Sequence, residues 1–130
     1  MLRNAKRFIY VAVIGHCKMT TAKNILFWTG TTLATLFFGL LTFVSFNEWW
    51  TVRIKKQTSG YPWEPINENP WYYDNPDIYS TVMLTEGIIF TVALTILTTQ
   101  IIKAKKTGVL YALLLCFGLL ILMMINGTIK

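Results

Sequence analysis

The chain has 130 residues, 54% of them apolar and 14% charged, with a formal net charge of +6 and a mean hydropathy of +0.48. A soluble domain of this length carries about a quarter charged residues, so the composition excludes a disordered chain, a disulfide scaffold and an ordinary soluble enzyme. It points to an all-α integral membrane protein with three transmembrane helices and one long Pro- and aromatic-rich extramembrane loop.

Residues 1–24 form a basic segment, with Arg3, Lys6, Arg7, Lys18 and Lys23 and no acid. Its apolar stretch Phe8–Gly15 is too short to span a bilayer. His16 also fits the small-residue pattern of a signal-peptide cleavage site poorly. The expected form is a short basic segment lying on the inner membrane surface, with Met19 an alternative start.

Residues 25–46 are 22 in number and carry no charge, residues 81–102 match them with the single charge of Glu86, and residues 108–125 have none. At 1.5 Å per residue each run approaches the roughly 30 Å hydrocarbon thickness. Only a helix satisfies its own backbone there without closing a barrel. Three spans are therefore expected at 25–46, 81–102 and 108–126. They are joined by an outer loop at 47–80 and a basic link at 103–107, with a short tail at 127–130.

Lys and Arg number 5, 3, 3 and 1 over the N-terminus, loop, link and C-terminus. The positive-inside rule then places the N-terminus and the Lys103–Lys106 link in the cytoplasm, and the loop and C-terminus outside. A cell or inner membrane suits this arrangement, and an organellar inner membrane is the alternative. Basic residues at membrane flanks account for the sequence pI without nucleic acid as a partner. Cys17 and Cys116 fall in different compartments, so no disulfide is expected.

In the first span Thr31, Thr35, Phe38, Thr42 and Ser45 fall on one heptad-spaced stripe, beside the small pair Gly30 and Ala34. In the third, Gly108, Ala112 and Cys116 repeat every four residues. Close approach over small residues and hydroxyl hydrogen bonds drive helix association in lipid, so both faces are candidate packing surfaces. Against that, a Thr hydroxyl is equally able to bond the carbonyl four residues back in its own helix. The second span is polar on more than one side. Glu86 shares a face with Val82, Phe90, Ala93, Leu97 and Gln100, while Thr95 lies opposite. Asn75-Pro76-Asp77 predicts its start, as N-cap, first helical residue and first-turn acid.

Glu86 is the residue that raises a question of function. A carboxylate at the bilayer centre costs about 2.5–3.5 kcal/mol on insertion scales, although this one lies only some 8 Å inside the span, by the helical rise. With Gln100 it is a candidate ion or proton site or a partner for a neighbouring subunit's charge; a structural role is the alternative.

The loop holds all four prolines, four of five tryptophans, four of six tyrosines and five of six acids. Its prolines exclude a helix through Tyr61–Pro76 and disfavour a strand. Trp49, Trp50, Tyr61, Trp63, Trp71, Tyr72 and Tyr73 are expected either to lie flat over the helix ends at the headgroup boundary or to form a docking surface, since such rings are enriched at interface hot spots.

His16 is the sole histidine and the two cysteines are far apart, so neither haem, copper, iron nor zinc ligation is expected, and no cofactor is assigned. The spacing of Glu64, Glu68, Asp74 and Asp77 fits no calcium loop. Asn126-Gly127-Thr128 reads as a coincidental sequon. The expected function is that of a non-catalytic accessory or assembly subunit of a larger membrane complex, of the energy-converting or redox kind. Its partners are the bilayer and other integral subunits, with hetero-oligomers favoured. The alternative is a homo-oligomeric transporter or channel using Glu86.

Overall fold

The computed structural model describes residues 2–63 and 69–129, with side chains from residue 20 onward. The basic residues Arg3, Lys6, Arg7 and Lys18, with His16, Cys17 and the loop acids Glu64 and Glu68, lie outside the described side chains. The elements run α1 (Leu2–Trp49), a π-helical turn (Trp50–Ile54), a 3₁₀ turn (Trp71–Tyr73), α2 (Pro76–Ile102) and α3 (Lys106–Thr128). There is no strand among the described residues. Three helices are long and apolar enough to cross a membrane, at Thr20–Ile54, Pro76–Ile102 and Lys106–Thr128.

Residues 1–33 and 34–130 form two compact units. In the first, the backbone is helical from Leu2, where the sequence suggested a separate surface segment. The Phe27 and Trp28 rings meet edge to face at 5.2 Å. Thr31 is buried, while Gly30 is exposed, with nothing within 4 Å of where a Cβ would stand.

The second unit is built on α2, which contacts α3, the π turn and the 3₁₀ turn. Asn75 caps α2 from an extended conformation, its side chain accepting from the Ile78 N–H at 2.8 Å, with Pro76 in the first turn beside Asp77. This is the start that the sequence predicts. The other end closes with the Lys105 N–H on the Gln100 carbonyl and the Ala104 N–H on that of Ile101. Ala104 takes a positive φ of 50°, the left-handed residue of a Schellman motif, where glycine is usual. Only three residues therefore separate α2 from α3, because Lys106 and Thr107 already belong to α3.

The direction of packing follows from the contacts at each end. A Cβ on Gly108, at the start of α3, would collide with the Gln100 side chain near the end of α2. Trp71, just before α2, donates from its backbone N–H to the Ile129 carbonyl and from Nε1 to Asn126 Oδ1, both at 3.1 Å. The two helices are antiparallel. Apart from Ser80, the buried residues of α2 (Tyr79, Met83, Gly87, Phe90, Ala93 and Leu97) recur every three or four positions, the period of one helix face. On α3, Val109, Ala112 and Cys116 are buried.

The C-terminal part of α1 adds a seven-residue repeat of buried positions, Phe38 and Ser45, continued by Val52 in the π turn. The Phe38 ring lies 6.1 Å from that of Phe90 and 5.1 Å from that of Phe117, so one side chain joins all three helices. Gly87 lets the Phe46 ring approach: a Cβ there would stand 3.2 Å from three of its carbons. Around this small core the helices remain apolar outside, with Leu40, Phe43, Leu114, Leu122 and Met124 all exposed.

Candidate functional site

Two polar features stand out against that apolar background, both at the loop end of the bundle. The first is an aromatic cap. Glu48 is on α1, three residues after buried Ser45 and four before buried Val52, so the helix face that makes the core also turns its carboxylate inward. Its Oε2 accepts from the Tyr61 hydroxyl at 2.5 Å and from the Tyr79 hydroxyl at 3.1 Å. Tyr79 is the hub, its ring 5.5 Å from those of Tyr61 and Trp63 and 5.0 Å from that of Tyr73. Tyr61 stacks on Trp63 at 4.9 Å, and Tyr72 lies 5.2 Å from Tyr73. Beneath the rings, Val52, Tyr79 and Met83 form a buried cluster that also receives Trp49.

The Trp63 indole N–H donates to the Thr58 carbonyl at 2.5 Å, and Gly60, with φ +92°, turns the chain between them. Only glycine adopts that conformation without steric cost. Burial, with the hydrogen bond and charge of Glu48, pushes the Tyr61 phenol up to about 12. The Tyr72 phenol is also raised, first by burial, then by Tyr73 and by the Glu86 carboxylate.

Of the seven ring residues expected at the outer boundary, Trp49, Tyr61, Trp63, Tyr72 and Tyr73 pack against the buried cluster, whereas Trp50 and Trp71 are exposed. Arg53 forms an exposed ion pair with Asp77 at the edge of the cap.

The second feature is a cleft of about 310 Å³ between α2 and α3. Thr81, Thr85, Glu86 and Ile89 line it from α2, and Leu119, Leu122, Met123 and Asn126 from α3. Val82 and Phe90 complete its walls. Glu86 Oε2 is out of solvent contact and has no hydrogen-bond partner. The polar neighbours are engaged elsewhere: the Thr81 and Thr85 hydroxyls donate to the Asp77 and Thr81 carbonyls at 2.8 Å. Asn126 Oδ1 accepts from Trp71. Gln100, expected on the same face, lies 14 residues further on, about 21 Å along the helix. The structure does not bring it to Glu86.

The threonine stripes resolve differently from a web of interhelical bonds. The hydroxyls of Thr31, Thr42, Thr91, Thr95 and Thr99 each donate to the carbonyl four residues earlier, at 2.7–2.9 Å. Their donors are satisfied locally, so these bonds do not tie one helix to another. Thr35 and Ala34 are half-buried. On the opposite side of α2 from Glu86, Thr42, Thr91, Leu94, Thr95, Thr98 and Thr99 border a shallow groove of about 320 Å³.

Small residues divide in the same way. Ala112 and Cys116 are buried and Gly108 faces Gln100, so that face of α3 is used within the chain. Gly39 and Gly118 have nothing within 4 Å of their Cβ positions. Sequence reasoning passed over Glu48 as a site residue; continuing the Phe38–Ser45 stripe one turn further would have reached it. No group of acids, cysteines or histidines that could hold a metal occurs among the described residues. Comparison with protein-family models, curated proteins and solved structures returned no match.

Proposed function

We propose that this chain is a polytopic membrane protein acting as a non-catalytic accessory or assembly subunit of a larger membrane complex. One observation carries the reading: Gly39 and Gly118 are bare to anything within 4 Å, on helices whose surroundings are otherwise apolar. Glycine lowers helix propensity by about 1 kcal/mol relative to alanine. Its common use in apolar spans is to let another helix approach closely. The Thr42–Thr99 groove supports the same reading, because its hydroxyl oxygens can still accept hydrogen bonds.

In this reading the partners are other integral subunits, reached through helix faces. The packed rings of the loop close the chain's own helix ends, and exposed Trp50 and Trp71 act as anchors at the headgroup boundary. The lysines of the link face the cytoplasm, as in the charge-based topology. Purification in mild detergent from the native membrane tests the proposal: a stoichiometric membrane partner is expected, and migration as a lone chain refutes it.

The unpartnered Glu86 oxygen supports a second reading, a homo-oligomeric transporter or channel with Glu86 as the proton or cation site. Glu86→Gln should then abolish flux in reconstituted vesicles without disturbing assembly, and unchanged flux removes Glu86 from any such pathway.

A further inference from the structure

The cleft beside Glu86 combines three properties. Its volume, about 310 Å³, stands at the lower end of the roughly 300–1,000 Å³ range of small-molecule sites. Its walls are aliphatic and aromatic except for Thr81, Thr85, Glu86 and Asn126, and the donors or acceptors of three of these are already engaged within the chain. Glu86 alone retains a buried oxygen with no partner. The cleft opens sideways, since Ile89 and Leu122 on its rim are 42% and 63% exposed.

We propose that this cleft binds a lipophilic amine, a molecule with an apolar body and one protonated nitrogen, held through a charge-assisted hydrogen bond to Glu86. The chemistry selects this class by exclusion as well as by fit. A bare inorganic cation needs about six oxygen ligands, and the lining offers a single charged group, the Glu86 carboxylate. A phospholipid headgroup brings a phosphate, which would meet the Glu86 charge with no Lys or Arg among the lining residues to offset it. Arg53, at the edge of the cap, is paired with Asp77. A single positive group on an apolar chain pairs with the one carboxylate of the lining and covers the remaining walls. The proposal stands apart from the accessory-subunit reading and survives its failure.

The test uses the full chain in phosphatidylcholine nanodiscs, with isotope-labelled decylamine as probe and empty nanodiscs as the measure of partition into lipid. Saturable binding of one decylamine per chain above that background is expected. Decanol, with the same tail and no charge, should fail to compete. Glu86→Gln should weaken decylamine at least tenfold, and Leu122→Trp, which fills the cleft and leaves the carboxylate in place, should do the same. If Glu86→Gln loses helical circular dichroism, Leu122→Trp alone decides. Uptake equal to that of empty nanodiscs overturns the proposal, as does binding that neither substitution alters. A protein chain from the native membrane that cross-links at position 122 and excludes decylamine also overturns it, by assigning the cleft to a protein partner.

Discussion

The loop end and the link end of the second unit satisfy their polar groups differently. Beside local bonds such as those of Thr81 and Thr85, the loop end has bonds that join residues distant in sequence: Glu48 to Tyr61 and Tyr79, Arg53 to Asp77, and Trp71 to Asn126. Toward the link, Thr91, Thr95 and Thr99 bond only to their own helix, and Gln100 packs over Gly108. Local bonds of the second kind satisfy a helix without specifying its neighbour, whereas bonds of the first kind fix one chain segment against another. The cap therefore sets the arrangement of the unit, and the remaining helix surface is left for lipid or for other chains.

The largest effect that should separate the two regions is loss of the hub ring. Tyr79→Ala removes the ring around which Tyr61, Trp63 and Tyr73 are gathered, and should cost about 3–5 kcal/mol, as for other large buried aromatics. Titration with a denaturing detergent, followed by circular dichroism, measures it. Gly118→Leu, where nothing lies within 4 Å, should shift the same transition by less than about 0.5 kcal/mol, as at an uninvolved surface. Similar shifts for the two would abolish the distinction.

Next in size is the carboxylate beneath the rings. Glu48→Leu leaves the Tyr61 and Tyr79 hydroxyls without their acceptor, a cost of about 1–3 kcal/mol. Glu48→Gln keeps an acceptor oxygen and should lose less in the same titration. An equal loss for both would show that the charge, and not the hydrogen bonding, holds the cap.

A smaller effect is expected from alkali. The Tyr61 phenol rises from 10.0 to about 12, mainly through burial. The folded state therefore favours the neutral phenol. That contribution is complete below the ordinary value and is lost as pH rises from about 10 to about 12. Phenolate absorbance and unfolding followed together over that window should show it, and Tyr61→Phe should flatten the decline. The smallest effect belongs to the rim of the cap. Arg53→Ala breaks an exposed ion pair, 48% and 79% accessible on its two sides, and should cost no more than about 0.2–1 kcal/mol, less in high salt.

What could be read from the sequence divides along the same line as the two regions. Asn75-Pro76-Asp77 announces a helix start because each residue acts on the backbone within one turn, and the three apolar runs announce helices because length and hydropathy need no partner. The Thr31–Ser45 stripe was visible, but a stripe does not say whether its hydroxyls bond across or back; at Thr31 and Thr42 they bond back. Glu48 looked like one loop acid among five, because its partners lie 13 and 31 residues away. Glu86 could be placed on a face from helical periodicity alone. Its cleft could not, because four of its ten lining residues come from α3.

The claim that the cap is closed by its own chain while the helix faces remain open is tested most directly by photo-cross-linking in the native membrane. A photoreactive phenylalanine analogue replaces Trp63 in one variant and Gly118 in another. Position 118 should give a cross-link to a second polypeptide, and position 63 should react only within the chain, with Tyr61, Tyr73 or Tyr79. An intermolecular product from position 63, with none from position 118, would contradict the account and make the aromatic loop the docking surface.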